Sequence, residues 1–118
     1  MYEYNCIIKR IVDGDTVDVD IDLGFDCWLH NQRIRIGGID APETRTRDLL
    51  EKAAGLESKA FVENLLPVGS KQILRCNQYN NTGKYGRIIG TFNIYDMTKD
   101  AWSDLATIML EQGYADPY

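Results

Sequence analysis

A chain of 118 residues with 44% hydrophobic content can build one core and not two, so residues 1–118 read as a single domain. Its net charge of −5 argues against a domain that coats nucleic acid through bulk positive charge, and no run of about 18 apolar residues is present to span a bilayer. The opening Met-Tyr-Glu-Tyr-Asn-Cys has neither a basic leader nor an apolar stretch, which predicts a soluble chain, cytoplasmic, with secretion as the alternative. Cys6, Cys27 and Cys76 are far apart, odd in number and without a Cys-x-x-Cys pair, which predicts reduced, structural thiols. With His30 as the single histidine, zinc is not expected.

In chain order, Cys6 to Val12 carries Ile7, Ile8, Ile11 and Val12 and reads as a first strand, ended by a tight turn at Asp13-Gly14-Asp15-Thr16. Beyond it Val17, Val19, Ile21 and Leu23 alternate with Asp18, Asp20 and Asp22, the pattern of a half-buried strand. Counting back by twos puts Asp15 on the apolar side at the strand's mouth, while Asp18, Asp20 and Asp22 are expected to face solvent. A helix-loop-helix calcium loop is excluded there, because Leu23 stands where glycine is needed and Leu29 where a bidentate glutamate is needed. Leu23 to Gln32 reads as a long hairpin connection, with Trp28 in the core or at the rim and His30 on the surface.

The segment Arg33 to Thr44 then changes character twice. Ile34 and Ile36 alternate with Arg33 and Arg35 as a strand, Gly37-Gly38 permits a bend, and Ala41-Pro42 forces the chain out of the sheet. The loop that follows presents Asp40 and Glu43, so two carboxylates and an arginine arrive at one end of a sheet. Such a set suits a hard cation beside a phosphate. Thr44 to Asp48 reads as a polar loop carrying Arg45 and Arg47. Glu51 to Leu66 reads as a helix with Leu56, Ala60, Phe61, Leu65 and Leu66 inward and Pro67 ending it. Lys71 to Cys76 gives a strand, Gln78 to Gly83 a hairpin turn, and Arg87 to Tyr95 a fifth strand. Trp102, Leu105, Ala106, Met109 and Leu110 share one face of a final helix that runs to Gln112, with Gly113 as its cap. The order β-β-β-α-β-β-α predicts a mainly β, α+β fold compatible with a five-stranded Greek-key barrel of the oligonucleotide-binding type with two or three helices; periodicity alone permits other meandering sheets as well.

Three motifs, Asp13-Gly14-Asp15-Thr16-Val17, Arg35 to Glu43 with its Ile39-Asp40-Ala41-Pro42-Glu43 centre, and Lys84-Tyr85-Gly86-Arg87, occur in an order and spacing that resembles the staphylococcal nuclease, or thermonuclease, family. With the helices, the likeness covers nearly the whole chain. The resemblance implies a Ca²⁺-dependent phosphodiesterase acting on DNA and RNA. Carried over residue by residue, it implies Asp15, Asp40 and the backbone carbonyl of Ala41 as calcium ligands. Glu43 becomes the general base, Arg35 and Arg87 the clamp on the scissile phosphate, and Lys84 and Tyr85 nucleotide contacts. The family has threonine where this chain has Ala41; the main-chain oxygen is retained. Beyond the Gln-Gly of its second helix the family also carries a pair of tyrosines and a third helix. Here Gln112-Gly113 is followed by Tyr114-Ala115-Asp116-Pro117-Tyr118, so the tyrosines have no assigned counterparts, and weaker nucleotide binding and a smaller core are expected. The connection from Asp22 to Gln32 also reads as longer than in the family's type member. A monomer is expected, and the alternative to a nuclease is a catalytically weak or silent barrel that binds nucleic acid or protein.

Overall fold

The computed structural model describes residues 2–76 and 88–118. Three long strands, β1 (Tyr2–Asp13), β2 (Thr16–Gly24) and β3 (Cys27–Ile36), form an antiparallel meander, and β5 (Lys71–Cys76) and β6 (Ile88–Asp96) extend it from the β1 side. A parallel pairing of β3 with β6, Ile34 opposite Ile88 and Ile36 opposite Gly90, joins the two ends of the sheet, so β1, β2, β3, β6 and β5 pair in a closed ring. This ring is compatible with the element order and is the one the family resemblance implies. Ile8, Val17, Val19, Ile34, Ile36 and Phe92 are fully buried in its interior, each from an inward position of its strand. Among the described residues no helix is long and apolar enough to cross a membrane.

The helices α1 (Leu49–Leu65) and α2 (Leu105–Gln112) are each started by an aspartate. Asp48 accepts from the amides of Leu50 and Glu51, Asp104 from that of Thr107, which satisfies donors that a helix start leaves orphaned. Gly113 takes the left-handed conformation at φ 80° and closes α2, as its position after the last apolar residue predicts. Short strands β4 (Ile39–Asp40) and β8 (Asp116–Pro117) pair with each other, and β7 (Ala101–Asp104) adds to β6.

Four expectations are corrected. The stretch from Leu23 to Gln32 is no long connection: β2 and β3 continue to Gly24 and Cys27 and are joined by Phe25-Asp26 alone. Both of these residues have positive φ (55° and 61°), as the twist of a two-residue hairpin requires. Trp102 belongs to β7, where it meets Tyr95 edge-on, because the Asp104 cap starts the helix after it. In α1 the buried residues are Gly55, Ser58 and Val62, whereas Leu56 and Ala60 face outward. Finally, Asp20 is 8% exposed and faces the protein, unlike Asp18, which is paired with Arg33 at 2.8 Å. The cause is a pair of bulges. Lys9 is an extra residue in β1, and His30 and Asn31 together oppose Asp20 from β3. The Asp20 carboxylate accepts from the Asn31 amide at 2.9 Å and meets His30 at 3.2 Å and Lys9 at 3.8 Å. The Asn31 amide first, then His30 and Lys9, hold its carboxyl below the ordinary value of 3.8, against the opposing effect of burial.

Candidate active site

The tight turn between β1 and β2 delivers Asp15 to the rim of the ring, 8% exposed, with its own carbonyl accepting from the Ile36 amide at 2.8 Å. One carboxylate oxygen accepts from the Thr16 hydroxyl at 2.9 Å and the other from the Ala41 amide at 3.0 Å. Arg35, on β3 directly opposite Thr16, curls over the Gly37-Gly38 bend. Its Nη1 donates to the carbonyls of Ile36 at 2.7 Å and Ile39 at 3.0 Å. Its Nη2 stands 3.6 Å from Asp15 Oδ2 and 3.6 Å from Asp40 Oδ1. These last are charge contacts, too long for hydrogen bonds. Two carboxylates therefore converge on a single nitrogen, and the three side chains together carry one net negative charge.

The segment from Ala41 to Thr44 is held at three points. Asp15 takes the Ala41 amide, and Asp13 takes the Thr44 hydroxyl at 2.6 Å and its amide at 3.4 Å. Helix α1 closes from below at Gly55, where an added Cβ would run into the Glu43 carbonyl. The two aspartates of Asp-Gly-Asp thus grip the two ends of the loop that carries Glu43, whose side chain is exposed. Asp13 is a positioning residue that turn chemistry alone did not single out. Tyr118 is another residue the sequence reading left unplaced. Its amide donates to the Gly38 carbonyl at 3.1 Å, and the Arg35 guanidinium lies 5.5 Å from its ring centre. The β4–β8 pairing brings it there and sets Asp116 opposite Asp40.

Of the residues expected at the site, the structure brings Asp15, Arg35, Asp40 and Ala41 together and places Glu43 two residues beyond Ala41 on the same braced loop. Lys84, Tyr85, Arg87 and the expected Gln78–Gly83 turn lie outside the described residues. Among the described residues no group of three or more His, Cys, Asp or Glu stands close enough to hold a metal ion. The available oxygen donors at the rim are two carboxylates and nearby carbonyls. Oxygen donors with a surplus negative charge fit a hard cation such as Ca²⁺ and not a soft one.

A five-stranded ring with a carboxylate pair and an arginine at one rim defines a small oligonucleotide-binding-type barrel with an anion-and-cation mouth. The profile of the staphylococcal nuclease homologue family matches residues 33–118, and the chain belongs to that family. Endonuclease YhcR of Bacillus subtilis (strain 168) is 26% identical to it over 121 residues, an alignment covering 98% of this chain and 9% of that protein. The chain spans less than a tenth of the length of the curated relative it matches.

Proposed function

We propose that this domain is a Ca²⁺-dependent phosphodiesterase that hydrolyses DNA and RNA. The observation that carries the reading is the convergence of Asp15 and Asp40 on the same nitrogen of Arg35. Left to themselves these three groups carry one negative charge and would repel a phosphodiester. A bound divalent cation reverses that sign, which is why an acidic mouth can serve a polyanionic substrate. Asp15, Asp40 and the Ala41 carbonyl are the residues that would hold the ion. When bound, calcium supplies positive charge against the oxygens on which negative charge grows during hydrolysis.

The chain's own groups supply the rest. Arg35 has Nη1 committed to the Ile36 and Ile39 carbonyls, which fixes the plane of the guanidinium and leaves Nη2 facing the mouth. A planar donor held in advance suits the equatorial oxygens of an attacked phosphate, since little reorganisation is needed as charge develops. Glu43 takes the proton from the attacking water. The new P–O bond forms in line with the one that breaks, and the leaving alkoxide collects a proton from solvent. Bracing the loop at Ala41, Thr44 and Gly55 fixes the backbone from which Glu43 projects, which favours a positioned proton acceptor. Arg87 is proposed as the second arginine on the phosphate, Lys84 and Tyr85 as nucleotide contacts, and Tyr118 as a stacking surface beside Arg35.

The test is incubation with single-stranded DNA, with and without Ca²⁺, alongside Asp40→Ala and Glu43→Ala. The proposal expects cleavage by the wild type with Ca²⁺ only, and a fall of about two to three powers of ten in each variant. Binding without cleavage at any Ca²⁺ level, or Glu43→Ala cutting at the wild-type rate, would replace the nuclease with a silent binding barrel.

A further inference from the structure

The far end of β2 and β3 presents an apolar arm that the nuclease reading does not use. Phe25 is wholly exposed, and Leu23, Trp28 and Leu29 beside it are 45%, 38% and 42% exposed. Phe25 also holds a left-handed φ of 55° at a turn position that asparagine or glycine fills at lower cost. Its backbone is strained, its ring gains no burial in the monomer, and nothing in the monomer compensates either. Below the turn, Trp28, Asp22, Asn5, Cys6, Ile7 and Lys71 line an open concavity of about 310 Å³. A benzene-sized group needs roughly half that volume. One arm therefore carries both an aromatic anchor without a pocket and a pocket without an occupant.

From this juxtaposition we propose that two copies of the chain associate through their β2–β3 arms, each Phe25 seating in the concavity of the other. Anchor and receptor on the same surface patch are what a two-fold contact needs, because every interaction is then made twice. Charge sets the register for this occupant: Lys71 and Asp22 both line the receptor, and seating Phe25 with its neighbour Asp26 against Lys71 pairs an anion with a cation on each side. Nucleic acid does not suit the arm: from residue 11 to residue 32 the chain has no lysine or arginine, while Asp18, Asp20, Asp22 and Asp26 all lie there. Four apolar side chains and one pocket make a small interface, and the aspartates of the two arms repel across it, so the association is weak and depends on both concentration and salt. Nine residues of β2 separate the arm from Asp15, about 30 Å along the strand, so both proposed active sites stay open in the pair.

Sedimentation velocity of the full chain, under reductant because Cys27 is exposed two residues from Phe25, tests the proposal. From low micromolar to about millimolar protein, the wild type is expected to shift from monomer to dimer, and Phe25→Ser to weaken association about tenfold or more. Asp26→Lys and Lys71→Asp are each expected to weaken it, and the two together to restore it. All these side chains are exposed, so cooperative thermal melts no lower than the wild type's show that the variants fold, and Phe25→Ser should cleave DNA per chain as the wild type does. A wild type that stays monomeric across the range, or a Phe25→Ser variant that associates equally well, overturns the proposal, whatever the outcome for cleavage.

Discussion

β2 and β3 run side by side from the rim at Asp15 and Arg35 to the turn at Phe25-Asp26, and their two ends are built on opposite terms. At the rim Asp13, Asp15 and Arg35 are tied down by hydrogen bonds. Asp15 holds Thr16 and Ala41, Asp13 holds Thr44, and Arg35 is hydrogen-bonded to two carbonyls before any substrate arrives. At the turn, Phe25 and Trp28 stand in solvent and two non-glycine residues hold positive φ. One pair of strands thus offers a preorganised charged mouth at one end and an unsatisfied apolar tip at the other. The first is the signature of a place where charge must be stabilised without reorganisation, the second of a surface completed by another molecule.

Substitutions at four positions break that contrast in measurable ways. The largest effect is expected for Arg35→Ala, which removes the guanidinium that contacts both carboxylates. Initial rates on single-stranded DNA should fall by about two to three powers of ten, some 3–4 kcal/mol in barrier. Arg35→Lys should recover part of the rate but not all, since a lysine cannot bond both bend carbonyls and still face the mouth.

Next comes Gly55→Ala, whose methyl would meet the backbone of Pro42 and Glu43. It should cost about 1–3 kcal/mol by denaturant titration. Because the displaced backbone carries Glu43, the rate should fall as well, although residue 55 touches no substrate.

Asp20→Ala tests the bulge clamp between the two ends and is expected to cost about 1–2 kcal/mol, with cleavage unchanged in the folded fraction. In the wild type the folded-state pKa of Asp20 is depressed, so its contribution is present above the ordinary carboxylate value of 3.8 and is lost as pH falls through the lower folded value. Acid titrations of stability should therefore converge for wild type and variant below that point.

The smallest effect, and of opposite sign, is Phe25→Asn. In dilute solution it should raise stability by about 1 kcal/mol, because asparagine tolerates the left-handed backbone that phenylalanine resists. A loss of stability there would mean that the ring is packed in the monomer after all.

The two ends also differed in how far they could be read from the sequence. The rim was legible because its residues follow strict rules. Ile34 and Ile36 alternate with Arg33 and Arg35, and counting by twos from Val17 puts Asp15 inward. Alternation has no term for an extra residue, so the bulges at Lys9 and at His30-Asn31, and with them the burial of Asp20, were invisible to it. The hairpin tip was misread because phenylalanine is a poor turn residue, and a turn built on Phe25-Asp26 carries no turn signal beyond Gly24. Helix α1 offers two apolar stripes. The barrel took the one containing Gly55 and Ser58, since only a small-residue face can approach the Glu43 carbonyl closely. Trp102 fits the helical spacing of Leu105, Ala106 and Met109, yet the Asp104 to Thr107 cap marks a later start and was there to be read. Tyr118 reaches Arg35 only through the β4–β8 pairing, a contact between residues about eighty positions apart that no local pattern encodes.

Calorimetric titration of Ca²⁺ into the wild type, Asp15→Asn and Asp40→Asn bears most directly on the proposal that the two carboxylates at Arg35 form one cation site. One binding event in the wild type, lost or greatly weakened in both variants while their folds persist, is the predicted result. Equal calcium binding by all three proteins would contradict it.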